Sequence, residues 1–251
     1  MRITQDVMAM IVLKKMCMFL SLLSAISSMI ACQAFCAAGK ERDLKELREE
    51  MVTRQIEGRG VTDKRVLKAM RAVERHRFVG DHQVSAAYED HPLPIGHGQT
   101  ISQPYIVALM TELCSLKGTE KVLEVGTGSG YQTAVLAELA VDIYTIEIVE
   151  PLGTQAIARL KDLGYKNVHV RIGDGYKGWP DAAPFDAIII TAAPPSIPPV
   201  LFDQLKEGGV MVLPVGDYLQ ELVKIEKIKG KMVRTHVTYV RFVPMVHEKG
   251  K

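Results

Sequence analysis

Cysteine is nearly missing from the body of this chain. Of four cysteines in 251 residues, Cys17, Cys32 and Cys36 fall within the first forty, which leaves Cys114 alone beyond them. A lone thiol cannot close an intrachain disulfide in the body, so the fold needs no oxidising compartment. Cys114 lies in the apolar pattern ALMTELCSL, which predicts a core residue rather than a nucleophile. An excess of one charge is missing too. A net charge of +2, with no basic patch interleaved with aromatics, gives no footprint for nucleic acid. The single tryptophan, Trp179, reads as a packing residue. His91 and His97 share a loop without a second pair at ligand spacing, so no metal site is expected. There is no internal repeat. The apolar stretch at residues 16–32 is shorter than the roughly 20 apolar residues that span a bilayer, and it is rich in serine.

That run follows Lys14-Lys15 and precedes Ala34, Ala37, Ala38 and Gly39, the parts of a secretory signal. Met29-Ile30-Ala31-Cys32 also loosely matches a bacterial lipoprotein cleavage site. The alternative is translation from a later methionine such as Met51, and the residues leave both open. Residues 1–40 are therefore expected to be a separate extension, signal-like or dispensable. Residues 41–251 are expected to form one domain, with 41–104 a helical appendage and loop and 105–251 the core. At 47% hydrophobic and 24% charged the chain has ordinary globular composition. Leu44, Leu47 and Met51 predict the stripe of one amphipathic helix, and Val66, Leu67, Met70 and Val73 that of a second, capped by Thr62 or Asp63. The charged run at 71–77 reads as a solvated face.

What is present is organised around residues 121–139, KVLEVGTGSGYQTAVLAEL. An apolar β-prone start, a glycine-rich break and an Ala/Leu-rich continuation spell strand, tight turn and helix. Gly126, Gly128 and Gly130 are spaced G-x-G-x-G. A dinucleotide fingerprint needs its third glycine one place later, where Tyr131 stands. Glu124, just before the turn, would repel a pyrophosphate and suit a cationic ligand. The next strand, 141–147, ends in Glu147, about 20 residues past the first glycine, where such units place the acceptor of ribose hydroxyls. A third strand, 167–172, runs into Gly173-Asp174-Gly175, whose acid suits an adenine amino group. A buried strand follows at 185–191, then a helix at 200–205, a strand at 210–213 and a hairpin around Lys229-Gly230-Lys231. The alternation predicts an α/β, Rossmann-like, doubly wound and mostly parallel sheet with a C-terminal antiparallel hairpin. The ligand belongs at the carboxyl ends of the strands.

Before that unit lies a loop with two prolines and two glycines, 88–104, read as shaped rather than regular. Ser102 is read there as a helix N-cap with Pro104 in the first turn, and with Thr100 it would offer hydroxyls to an anion.

The glycine loop behind its acid resembles the cofactor motif of S-adenosylmethionine-dependent methyltransferases. Pro94-Ile95-Gly96, Gly98–Pro104 (GQTISQP), 123–131, Gly173-Asp174-Gly175, Phe185-Asp186-Ala187-Ile188 and Leu213-Pro214-Val215-Gly216 together resemble the protein-L-isoaspartate O-methyltransferases. The resemblance runs from about Met51 to Val246, and the stretch 94–104 is its specific part. It implies S-adenosyl-L-methionine as cofactor and isoaspartyl-containing proteins and peptides as partners, with methylation of the abnormal carboxylate as the repair step. Ser102 carries over as the active-site residue, positioning the carboxylate. Glu124, Gly126, Gly128, Gly130, Glu147, Asp174 and Gly175 carry over to the cofactor, and Thr100, Ile101 and Val215 to the substrate. Amino-directed methyltransferases need a polar residue and an aromatic around two prolines, and here the stretch is Ala193-Pro194-Pro195-Ser196. A non-catalytic binding module of the same fold is the reading from another class. The cofactor and the missing disulfides favour the cytoplasm, and residues 14–38 favour export or a lipid anchor.

Overall fold

The structure is a computed structural model and describes residues 44–247. The extension read as signal-like lies outside the described residues. Contacts divide the chain after Leu47, and the described part of the first unit, 44–47, is helical. Among the described residues no helix is long and apolar enough to cross a membrane.

In the second unit, Met51–Ile56 forms a wide π-type turn and Glu57–Arg59 a tight 3₁₀ turn that ends at Gly60, φ 98°. Helix α1, Lys64–Ala72, buries Val66, Leu67, Ala69 and Met70. Its cap is Asp63, whose Oδ1 accepts from the backbone N–H of Arg65 (2.8 Å) and of Val66 (3.4 Å). The following charged run departs from the solvated face expected. Arg75 is fully buried, donates from Nε to the Ala87 carbonyl at 2.8 Å, and sets its guanidinium 4.8 Å from the centre of the Tyr131 ring. Burial lowers its pKa to about 10.

The loop expected to be irregular contains a small antiparallel hairpin, β1 (Leu93–Gly96) with β2 (Gln99–Ile101). Strands of four and three residues with a proline carry too little period-2 pattern to announce themselves. Helix α2, Pro104–Leu113, follows, and its cap position is Gln103 rather than Ser102. Proline favours the first helical position and holds the residue before it extended, so Gln103 and not Ser102 stands at the cap. The Gln103 side chain turns away and donates to the Asp90 carbonyl at 3.0 Å.

The remaining chain forms one seven-stranded sheet, with strands β3 (Lys121–Val125), β4 (Asp142–Glu147), β5 (Val168–Ile172), β6 (Phe185–Ile190), β7 (Leu205–Val215), β8 (Gln220–Ile228) and β9 (Lys231–Val240). The order is β5-β4-β3-β6-β7-β8-β9, parallel through β7 and antiparallel beyond it. Helices α3 (Tyr131–Ala137), α4 (Glu150–Asp162) and α5 (Pro199–Asp203) join the strands. Burial explains why β6 is central. Ile188, Ile189 and Ile190 are fully buried, each worth about 1.5–3 kcal/mol. Leu123, Phe185, Met211, Leu213 and Val223 join two of these isoleucines in one core. The order reverses between β3 and β6, so the connections leaving their carboxyl ends pass to opposite faces of the sheet and leave a crevice between them.

Candidate active site

The crevice starts where β3 ends. Thr191, the first residue after β6, donates its backbone N–H to the Val125 carbonyl at 2.9 Å, and its hydroxyl donates to the Gly126 carbonyl at 2.7 Å. This approach is why position 126 is glycine. Its φ is +100°, and a Cβ there would stand 2.3 Å from Thr191 Oγ1. The Gly126 N–H donates to the Ile146 carbonyl at 2.8 Å, tying the turn to β4. Gly128 follows at φ 53° and Gly130 at 88°.

Glu147 closes one side of the crevice. Its Oε2 accepts the Gly128 N–H at 2.7 Å and its Oε1 the Val149 N–H at 2.9 Å. The carboxylate is thus aimed by two backbone donors and still has lone pairs toward the cleft it lines. Gln99, Thr100, Val125, Gly126, Gly128, Ile146, Ile148, Val149, Gly175, Thr191, Ala192 and the segment Val243–Val246 complete the lining. Gly175 leaves room of the same kind, since a Cβ on it would lie 2.3 Å from Val125 Cγ1.

A second groove adjoins the first. One wall holds Arg59, Ser102, Gln103, Tyr105 and Ile106, and the other residues 238–243. Thr100 and Thr191 line both, and both also line a small recess with Ile101, Ser102 and Gln132. Ser102 faces the groove and the recess, and among the described residues its hydroxyl has no hydrogen-bond partner.

Several expected residues lie elsewhere. Glu124 is fully buried and does not enter the cleft. Its Oε2 accepts from the hydroxyls of Thr133 and Thr145, the latter at 2.7 Å, while Oε1 has no partner. Burial, with a smaller push from Glu147, raises its pKa to about 8 against the pull of the two hydroxyls, so it is mostly protonated at pH 7. It therefore offers no charge to a cation and instead fastens α3 to β3 and β4. Asp174 is nearly buried behind Gly175. Its Oδ1 accepts the Tyr176 N–H at 2.9 Å, and its Oδ2 meets His247 Nδ1 at 3.2 Å. Gly130 opens α3 against Leu160. Val215 packs on the core and lines neither cleft nor groove. Cys114 is buried, as read, with its thiol donating to the Met110 carbonyl at 3.3 Å. His91 serves its own loop, bonding the Pro92 carbonyl at 2.9 Å and Glu89 Oε2 at 2.8 Å.

Sequence reasoning missed Thr191 and the segment 241–246. Thr191 had a signal, a hydroxyl closing a run of four apolar residues. The C-terminal segment had none, since it joins the site through bonds to residues far away in sequence, its pairing with Ala193 first among them. Ala193 N–H donates to the Val243 carbonyl and Met245 N–H to the Ala193 carbonyl, each at 2.8 Å.

Known proteins share this arrangement. The family profile described as Protein-L-isoaspartate(D-aspartate) O-methyltransferase (PCMT) matches residues 46–250, which takes in the cleft, the groove and both threonines between them. The chain belongs to the protein-L-isoaspartate O-methyltransferase family. It is 57% identical over 214 residues to the protein-L-isoaspartate O-methyltransferase of Opitutus terrae, covering 84% of this chain and 92% of that one. It is also 57% identical over 208 residues to protein-L-isoaspartate O-methyltransferase 1 of Nitrosospira multiformis, covering 81% and 88%. A crystal structure of a protein-L-isoaspartate O-methyltransferase from Plasmodium falciparum, in complex with S-adenosyl-L-homocysteine, superposes with a TM-score of 0.71 at 26% identity. That match covers 80% of this chain and 99% of that one. The isoaspartate methyltransferase family thus accounts for nearly every described residue.

Proposed function

We propose that this enzyme methylates the free carboxylate of L-isoaspartyl residues in damaged proteins and peptides, with S-adenosyl-L-methionine as the methyl donor. The observation that carries the reading is the meeting of a cleft at the strand ends and an adjoining groove at Thr100 and Thr191, beside the unpartnered hydroxyl of Ser102. A small cofactor and a polypeptide need such a pair of adjoining sites, and family membership supplies their identities.

The residues fit the cofactor. Gly126 and Gly175 let Thr191 and Val125 close up on the cleft wall where a Cβ would clash with them, and Glu147 presents a carboxylate for the ribose hydroxyls. Asp174 does not line the cleft, and its assignment to the adenine amino group rests on its place beside Gly175, which does. When bound, the cofactor supplies a methyl group on a sulfonium, a good leaving group. The chain's own task is geometric. A main-chain carboxyl ionises near pH 3.5, so the attacking oxygen needs no general base at pH 7. Ser102 and Thr100 donate hydrogen bonds that hold this carboxylate, and buried Ile101 backs them. Alignment at near-attack distance accounts for the rate without a covalent intermediate. The methyl ester then closes to a succinimide in the substrate itself, and hydrolysis returns part of it to normal aspartate.

We place this work in the cytoplasm, where the cofactor is made. The body needs no disulfide, and buried Cys114 is its one cysteine. Mass spectrometry of an isoaspartyl peptide incubated with enzyme and cofactor tests the reading. A methyl ester decaying to succinimide is expected, and methylation elsewhere on the peptide would refute it.

A further inference from the structure

Beyond the reactive carboxylate, the groove carries a charge that its own walls leave uncompensated. Two cations line it, Arg59 and Arg241, and no acidic residue does. Their situations differ. Arg59 lies 3.6 Å over the Tyr105 ring and donates to Asp90 Oδ2 at 2.6 Å, so its charge is met within the protein. Arg241 is exposed and, among the described residues, has no hydrogen-bond or ion-pair partner. The acid nearest to it in register, Glu221, is taken up by Arg234 at 2.7 Å and His236 at 3.5 Å.

The backbone under Arg241 is fixed. Gln220 is buried and clamps the next residue at both ends, accepting the Phe242 N–H at 2.6 Å and donating to the Phe242 carbonyl at 3.1 Å. Val243, which lines both cleft and groove, is held by Ala193. Arg241 is therefore a free cation on a rigid wall, two residues from the junction where transfer takes place. Two residues of extended chain span about 7 Å.

The geometry points to Arg241 as a specificity-determining residue: it selects isoaspartyl substrates that carry an acidic side chain about two residues from the damaged position. This rests on the function proposed above and adds to it a class of preferred sequence. The pair forms at a half-open groove, where an ion pair contributes a fraction of what a buried one would.

Three isoaspartyl hexapeptides that differ only two residues from the isoaspartate, with Glu, Gln or Lys there, test the idea. Wild-type kcat/KM should fall in the order Glu, Gln, Lys, by about two- to fivefold per step, the worth of one partly exposed pair. The gaps should appear in KM and shrink with added salt. Arg241→Gln should collapse the three values together, and Arg241→Lys should restore the order. Equal kcat/KM on all three peptides, or a gap undiminished in Arg241→Gln, would overturn the assignment. Methylation of none of the three would instead refute the function on which it rests.

Discussion

The backbone N–H of Gly128 donates to Glu147 Oε2 at 2.7 Å, joining the glycine turn after β3 to the acid that ends β4. The same carboxylate lines the cleft and accepts the Val149 N–H. One side chain thus shapes the glycine turn and faces the cleft. Glu147→Ala should weaken S-adenosylmethionine binding by about 1–3 kcal/mol, the worth of a hydrogen bond to a charged group. Titration calorimetry on the folded variant reads this directly, and unchanged affinity would remove Glu147 from the site.

Thr191 and Gly126 make a sharper prediction about backbone. A methyl group at 126 meets Thr191 Oγ1 and must also hold φ near +100°. Gly126→Ala should lower stability by about 1–3 kcal/mol, the cost of a residue held in a sparsely populated region, and widen the crevice. Denaturant unfolding gives the first effect and calorimetry the loss of cofactor affinity. A variant as stable as wild type would show that the close approach of β6 to the turn is not obligatory.

Ser102 separates substrate from cofactor. It lines the groove and the recess but not the cofactor cleft. Ser102→Ala should cut turnover by about ten- to a hundredfold through lost alignment, with cofactor affinity within error of wild type. A covalent adduct trapped on wild-type Ser102 would contradict direct transfer.

The parallel core was legible because its strands are rich in β-prone apolar residues, as in Ala187–Ile190 of β6, and because each ends in a turn or an acid. The terminal hairpin was legible for a local reason. Lys229 and Gly230 take φ of 53° and 71° at the expected turn. The misses have a common cause, in that each depends on residues far away in sequence. Arg75 reads as a surface charge until the Ala87 carbonyl and the Tyr131 ring close over it. Glu124 reads as a ligand because its strand-end position is right, but Thr133 and Thr145 draw it inward. Ser102 reads as a cap because the helix start is near, but Pro104 at the first helical position puts Gln103 there instead. Thr100, Gly126, Glu147 and Gly175 line one crevice, and for Gly126 and Glu147 the end of a strand is what puts them there.

Glu124 makes stability depend on pH. Its folded pKa, about 8, lies above the 4.5 of an unperturbed glutamate, so the folded state binds the proton more tightly than the unfolded chain. Its contribution is complete below about pH 4.5 and is lost as pH rises toward 8, at up to about 1.4 kcal/mol per pH unit. Glu124→Gln keeps the neutral shape and removes the titration. Wild type should therefore lose stability relative to Glu124→Gln between pH 5 and pH 8. Parallel urea-unfolding profiles across that range would show that Glu124 keeps its ordinary pKa in the fold.

The central claim is that Thr100, Ser102 and Thr191 bring an isoaspartyl carboxylate to the methyl donor. Labelled methyl transfer from S-adenosylmethionine to an isoaspartyl peptide, run beside its normal aspartyl twin, tests it most directly. The account predicts steady incorporation into the isoaspartyl peptide and none above background into the twin, with both signals absent when cofactor is withheld. Equal labelling of the two peptides, or cofactor binding with no transfer to either, would contradict it.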